Sequence, residues 1–267
     1  MSTTSTTWAG QGAVVTGASS GIGAAMAKRL AAGGAAVTLT GRHAARLEAV
    51  AAACLASGAK VAKVVGDLTD GTVRESIVAA ALELHGGIDL LVNNAGLTMN
   101  ARFVELDPAV LRRVVEVDFF APVELTRLAL PSLRRRRGRI LVVSSLTGIV
   151  APPTRTAYAA AKHALHGFFA ALRIELRDDG VRVTIACPGY VDTPMRLHAV
   201  LGDGREQGRD QASGRHMLTA DEVAVASLRA AARGKRMILL GRETRMARLL
   251  SIVAPGLLDR VLAKSTR

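Results

Sequence analysis

Seven short apolar runs rich in β-branched residues, at 12–16, 35–40, 60–65, 88–92, 139–144, 181–186 and 236–240, alternate along this chain with longer stretches of helical periodicity. Buried parallel strands read as unbroken apolar runs, and the crossover joining two of them is normally a helix. The alternation therefore predicts an α/β fold on a parallel sheet, with helices at 21–32, 43–57, 72–85, 108–136, 156–178 and 220–233. The interval 108–136 is long enough for two helices, and Pro122 marks a first turn or a kink inside it. A chain of 267 residues that is 49% hydrophobic can bury one large core. Residues 1–241 read as one unit, with 194–217 as a substrate-binding loop and 242–267 as an apolar and basic helical extension of the same domain.

The first strand runs into Thr16-Gly17-Ala18-Ser19-Ser20-Gly21-Ile22-Gly23 and then an Ala-rich helix. Glycines there let the backbone turn tightly and approach a diphosphate, whose charge meets free N–H groups at the helix N-terminus. Strand before and helix after give the turn a dinucleotide-binding setting, and the sheet is expected to be a single doubly wound, Rossmann-type sheet of seven strands with helices on both faces. At the end of the second strand an NAD site usually offers a carboxylate to the ribose 2′-hydroxyl. This chain has Arg42 there, a cation suited to the 2′-phosphate of NADP(H), unless it only opens the next helix at the surface. Asp67, after the third strand, suits the adenine edge or, equally, a cap or turn with Thr69 and Asp70.

Tyr158 and Lys162 stand four residues apart in a helical stretch, so they share a face. A neighbouring ammonium favours phenolate, which is expected to lower the Tyr158 pKa and make it an acid/base near neutral pH. Ser144-Ser145 ends the fifth apolar run, and ligands of open parallel sheets bind at the carboxyl ends of the strands. No Gly-x-Ser-x-Gly surrounds these serines, which argues against a hydrolase nucleophile.

In this order, Thr16 to Gly23, Asp67, Asn93-Asn94-Ala95-Gly96, Ser145, Tyr158-Ala159-Ala160-Ala161-Lys162, and Pro188-Gly189 with Thr193 resemble the classical short-chain dehydrogenase/reductase family over residues 10 to 240. The run Leu141 to Phe169 looks like the branch with 11β-hydroxysteroid dehydrogenases and carbonyl or retinol reductases. The resemblance implies that Tyr158 exchanges a proton with the substrate oxygen, Ser145 holds that oxygen, and Lys162 binds the nicotinamide ribose and acts on Tyr158. It also implies a cofactor site made of Gly17, Ser19, Ser20, Gly21, Ile22, Gly23, Arg42, Asp67, Leu68, Asn94, Ala95, Gly96, Tyr158, Lys162, Pro188, Gly189, Val191 and Thr193, with Asn93 in support. One position departs: where the family carries Asn-Phe-Phe-Gly, this sequence reads Asp118-Phe119-Phe120-Ala121. Asp118 has nearly the shape of asparagine but, ionised, only accepts hydrogen bonds. Two outcomes stand open: it preserves the local helix while raising the affinity of Lys162 for its proton, or it impairs a proton relay to that lysine; retained activity is expected because Ser145, Tyr158 and Lys162 are all present.

Leu97, Thr98, Met99, Leu146, Thr147, Tyr190, Val191, Met195, Leu197 and His198 are candidate pocket residues, suited to a small hydrophobic alcohol or ketone. The formal net charge of +13 invites a nucleic-acid reading. Against it, the one dense basic run, Arg134 to Arg137, ends a helix, and aromatics are only 3% of the chain, too few for base stacking. His163 and His166 share a helix face without further ligands, so no metal is expected. Cys187 reads as a small core residue. Met1 to Gly12 has neither the basic nor the apolar region of a signal peptide, and a cytoplasmic protein is expected, peripheral on a membrane if the tail binds lipid. The tail stripe Met246, Leu249, Leu250, Val253, Leu257, Leu258, Val261 and Leu262 fits a pocket cap, a subunit interface of a homodimer or homotetramer, or a membrane surface. The first two are preferred because Arg242, Arg245, Arg248 and Arg260 form no long separate face. The alternative to an enzyme is a non-catalytic NADP(H) sensor or scaffold on the same fold.

Overall fold

Strands β1 (Gly12–Thr16), β2 (Ala36–Gly41), β3 (Val61–Val65), β4 (Leu90–Asn93), β5 (Arg139–Val143), β6 (Arg182–Pro188) and β9 (Met237–Leu240) form one parallel sheet in the order β3-β2-β1-β4-β5-β6-β9. The computed structural model describes residues 8–208 and 217–264; the two chain ends and 209–216, the middle of the expected loop, lie outside these. Period-two alternation sorts the strand residues between two layers. Ala13, Val15, Val37, Leu39, Leu141 and Val143 pack with helices α1 (Gly21–Ala32), α2 (Ala44–Ala56) and α7 (Ala220–Ala232). Val14, Leu91, Ile140, Val142 and Ile185 pack instead with α3 (Gly71–His85), α5 (Ala121–Arg136) and α6 (Thr156–Glu175). From β1 the chain winds outward to β3 and then returns to β4 on the other side, so a crevice opens between the carboxyl ends of β1 and β4.

The long helical interval is broken. Helix α4 (Pro108–Val115) passes into a π-helical turn over Glu116–Phe120 before α5 begins, with Pro122 in the first turn of α5. The fourth strand starts at Leu90 rather than 88, because the Ile88 amide donates to Ser132 Oγ at 2.8 Å instead of to a neighbouring strand. A small parallel pair, β7 (Val191–Asp192) with β8 (Leu218–Thr219), closes the base of the loop and is not foreseen in the sequence, since two-residue strands carry no periodicity. Within the loop, Val200 bridges both Met99 and Glu206 and lays the segment over the crevice.

The tail forms α8 (Arg242–Val253) and α9 (Pro255–Lys264). Of its stripe Leu258 is buried, whereas Met246, Leu249, Val253, Leu257 and Val261 are all more than half exposed, so no pocket is capped by them. The first turn of α8 is nevertheless tied down: Glu243 Oε1 accepts from the Tyr190 amide at 3.2 Å, and buried Thr244 donates to the Leu240 carbonyl at 2.8 Å. Among the described residues no helix is long and apolar enough to cross a membrane.

Candidate active site

The turn after β1 is shaped for something that must come close to the backbone. Gly17 has φ +63°, and a Cβ on it would stand 2.9 Å from Ala95 Cα; one on Gly23 would stand 2.3 Å from the Gly17 carbonyl oxygen. Only glycine meets both demands. Ser20, the residue before α1, makes no side-chain capping bond and no acid sits in the first turn, so the opening amides of α1 remain available to an anion. Asn94 holds the turn from the far side: its amide group donates to the Thr16 carbonyl at 2.9 Å, and its backbone N–H donates to Thr16 Oγ1 at 2.9 Å. Gly17→Ala is expected to abolish nucleotide binding while leaving most of the fold intact, as read by cofactor titration alongside circular dichroism.

A cleft continues from this turn past the ends of β2 and β3. Of the residues assigned to the cofactor, Tyr158 and Lys162 do not line it, whereas Gly17, Ser19, Ser20, Gly21, Ile22, Arg42, Asp67, Leu68, Asn94, Ala95, Gly96 and Thr193 do. So do His43 and Arg46, which sequence reasoning missed although Arg42 and Arg46 are four residues apart. These make the β2 end a cluster of three basic side chains. Glu206, bonded to His198 at 2.7 Å, lines the same cleft, and its carboxyl is held below the usual range by that bond and then by the Arg42 and His43 charges. Asp67 makes the expected turn with Thr69. It faces the cleft, and its Oδ1 accepts from the Thr69 amide at 3.0 Å and the Thr69 hydroxyl at 2.9 Å while Oδ2 pairs with Arg113. Burial opposes its ionisation, but these bonds win and keep the carboxyl low. The cleft thus fits a dinucleotide: a backbone cradle for a diphosphate at one end and three basic side chains past the end of β2.

Ser145, Tyr158 and Lys162 converge beside Gly96. Ser145 leaves the end of β5, where its Oγ accepts from the Thr147 amide at 3.1 Å, and Tyr158 and Lys162 lie one turn apart on the buried face of α6. Lys162 Nζ lies 5.4 Å from the Tyr158 ring centroid and 3.4 Å from the Val143 carbonyl oxygen. Its charge is met by Asp118, at 2.8 Å from Nζ to Oδ1, with both side chains almost wholly buried. The ammonium protons are not aligned on Oδ1, which is left without a hydrogen bond, so the attraction is Coulombic. Asp118 Oδ2 accepts from the Leu97 amide at 2.8 Å. Burial pushes the Asp118 carboxyl up despite Lys162, while Lys162, in spite of its own burial, is held above the ordinary lysine value by the Asp118 charge.

Two expectations need correction. Tyr158 is raised, not lowered: burial outweighs the pull of Lys162, and the Asp118 charge adds to burial, while Ser145 and Arg155 work the other way. Asn93 points away from the cleft to donate to Thr126 Oγ1 at 2.9 Å, because in an extended strand it faces opposite to Asn94. Among the other assigned residues, Gly23 backs Gly17 without lining the cleft; Val191 is buried in β7; Pro188 ends β6. A Cβ on Gly189 would meet Glu243 Oε1 at 1.9 Å, so that glycine serves the close approach of α8. Of the candidate pocket residues Leu97, Thr98, Met195 and His198 line the cleft, whereas Met99 is wholly buried. His163 and His166 do not converge: His163 Nδ1 lies 2.8 Å from the Ala159 carbonyl oxygen and His166 Nε2 2.8 Å from Ser144 Oγ. Cys187 is buried, and burial pushes its thiol up to about 12.

The sequence model of the short chain dehydrogenase family matches residues 11–201. The chain is 36% identical over 264 residues to dehydrogenase/reductase SDR family member 7B of Bos taurus, covering 95% of this chain and 81% of that protein. The corresponding protein of Danio rerio is 37% identical over 270 residues, covering 95% and 85%. Among solved structures, an alcohol dehydrogenase from the archaeon Thermococcus sibiricus complexed with 5-hydroxy-NADP superposes with a TM-score of 0.74 at 30% identity, covering 86% of this chain and 95% of that one.

Proposed function

The chain belongs to the short-chain dehydrogenase/reductase family of oxidoreductases, and on that premise we propose that it interconverts a hydrophobic secondary alcohol and its carbonyl with NADP(H). The observation that carries this reading is the pairing of Tyr158 with Lys162 on α6, with Lys162 directly behind Gly96, a residue lining the cleft that also carries Arg42, His43 and Arg46. Bound NADP(H) would supply or accept the hydride, which is chemistry the side chains cannot perform. In the oxidising direction the substrate hydroxyl gives its proton to the Tyr158 phenolate; in the reducing direction the Tyr158 phenol gives that proton back to the carbonyl oxygen. Ser145 orients the oxygen, and Lys162 stabilises charge on the phenol. The archaeal alcohol dehydrogenase with its NADP derivative supports the cofactor choice, and the apolar Leu97 and Met195 beside the cleft support the substrate class. A panel of hydrophobic ketones and secondary alcohols, followed by nicotinamide absorbance, tests the proposal; no turnover with any of them would overturn it in favour of an NADP(H)-sensing role.

Two measurements sharpen it. Arg42→Ala is expected to weaken NADPH binding by about tenfold to a hundredfold, the size of a lost charge-assisted bond, with NADH nearly unaffected. Equal losses for both nucleotides in fluorescence titrations would refute the choice of NADP(H). The pH dependence follows from the raised Tyr158. Reduction needs the protonated phenol and should hold its rate from neutral into weakly alkaline solution, while oxidation needs phenolate and should climb through the same range. Oxidation that is flat with pH while chemistry limits the rate would contradict the role of Tyr158.

A further inference from the structure

We infer that His166 is a positioning residue for the reaction proposed above: through its bond to Ser144 it fixes helix α6, which carries Tyr158 and Lys162, against the end of β5, which carries Ser145. The inference rests on that reading of the three residues.

The His166 ring joins α6 to the ends of two strands. It lies one turn beyond Lys162, half-buried, with Nε2 turned inward to 2.8 Å from Ser144 Oγ. Ser144 follows β5 directly and is almost wholly buried. Cys187, near the end of β6 and also buried, has its Sγ 3.7 Å from the same nitrogen. Room for the contact is kept by Gly148, at the end of the short turn Leu146–Gly148. A Cβ there would stand 2.5 Å from Ser144 Oγ and 2.8 Å from His166 Nε2, so any larger residue would force the two apart.

Stability alone does not account for the pair. Burial pushes the imidazole down to about 4, so at neutral pH the bond joins two uncharged groups. Such a bond contributes about 1 kcal/mol net, and replacing both partners by apolar groups of the same shape is nearly neutral. The neighbours Leu165, Phe169 and Cys187 belong to one apolar cluster that would accept such a replacement. What the pair adds is direction. Helix α6 grips the strand end at two successive residues: Lys162 Nζ donates to the Val143 carbonyl at 3.4 Å, and His166, one turn on, holds Ser144. Two grips one turn apart oppose both sliding of the helix along its axis and rotation about it. From the β6 side the Ser144 amide donates to the Ala186 carbonyl at 2.8 Å, which holds the strand end itself. Ser145 comes next, extended at φ −159° and ψ 165°, so its direction follows from where Ser144 is held. A displacement of about 1 Å between reacting groups costs up to about a hundredfold in rate, which is why supporting bonds on rigid elements matter. The nucleotide cradle, held by Gly17 and Asn94, has no part in this contact.

The test separates geometry from packing. His166→Leu keeps an apolar side chain in the space without the polar atom, and is expected to lower kcat by about tenfold to a hundredfold with NADPH affinity within about twofold of wild type. His166→Gln, whose amide can stand near the position of Nε2, should recover most of the loss. Ser144→Ala should match His166→Leu, and the double variant should be no slower than the slower single one, because both remove one contact. Equal losses in the Leu and Gln variants, or losses that multiply in the double variant, would overturn the inference. Should His166→Leu fail to fold by circular dichroism, Ser144→Ala and Gly148→Ala take its place with the same expectation. The contact is also read without turnover: the His166 ring signals in NMR spectra of nitrogen-labelled protein, assigned by their loss in His166→Gln, should move in Ser144→Ala. Unmoved signals, or a wild-type kcat in His166→Leu, refute the role of His166, whereas normal turnover in Tyr158→Phe refutes the functional reading beneath it.

Discussion

Tyr158→Phe is expected to lose turnover by about a hundredfold to ten-thousandfold, the range for removing a general acid/base, while NADPH binding stays within about twofold of wild type. The two outcomes separate because the hydroxyl and the ring do different things. The ring packs with Met99, Ala157 and Val200, and phenylalanine keeps that packing. The nucleotide cradle lies elsewhere, in the turn held by Gly17 and Asn94 and in the cations after β2. Only the hydroxyl and its proton disappear, so the change in folding stability should be small, about 1 kcal/mol or less. Turnover is read by nicotinamide absorbance and binding by fluorescence titration. Turnover at the wild-type rate in the Phe variant would remove Tyr158 from the chemistry.

Asp118→Ala should cost about 3–5 kcal/mol of folding stability, the usual result of stripping one partner from a buried ion pair. Both side chains are sequestered, so the Lys162 ammonium would be left without its counter-charge and the Leu97 amide without its acceptor. Asp118→Asn is a gentler change. Its side-chain carbonyl can still accept from Leu97, and the family's usual residue at this position is asparagine. We expect it to fold and the unmodified Asp118 protein to be active as well. Denaturant melts compare the three proteins; an alanine variant as stable as wild type would show that the pair contributes nothing net. Activity found only in Asp118→Asn would show that the carboxylate impairs the reaction.

Much of the fold was legible because strands buried on both faces leave unbroken β-branched runs, and all seven strands of the large sheet are found where those runs lie. The glycine turn and the Tyr158-Lys162 spacing were legible for a related reason: each encodes its geometry within a few consecutive residues. What escaped depends on distance along the chain. The Asp118–Lys162 pair joins residues 44 apart, so the influence of Asp118 on the Lys162 proton could be anticipated only from the family resemblance, and its burial only from the packing of two helices. Arg155 looks like an ordinary charge ahead of a helix until its bonds to Thr98 and Met99 are seen. The direction of the Tyr158 shift was misjudged because spacing reveals the neighbouring cation but not the depth of burial, and burial dominates. Asn93 was expected to support the cofactor side of the cleft, although successive strand residues face opposite sides.

The π turn at Glu116–Phe120 amounts to one additional residue inserted between two otherwise regular helices. Each residue advances an α-helix by about 100°, so the insertion offsets the phase of α4 from that of α5. Before it, Val114 joins the cluster around Met99 and Tyr158; after it, Leu125, Ala129 and Leu133 join the layer against the sheet. A chain shortened by one residue here could spell an uninterrupted helix, yet one of the two segments would have to rotate away from its layer. The same rotation would swing the carboxylate off Lys162, so the irregular turn, rather than the aspartate alone, ties the chemistry of the site to the length of the polypeptide between Pro108 and Arg136.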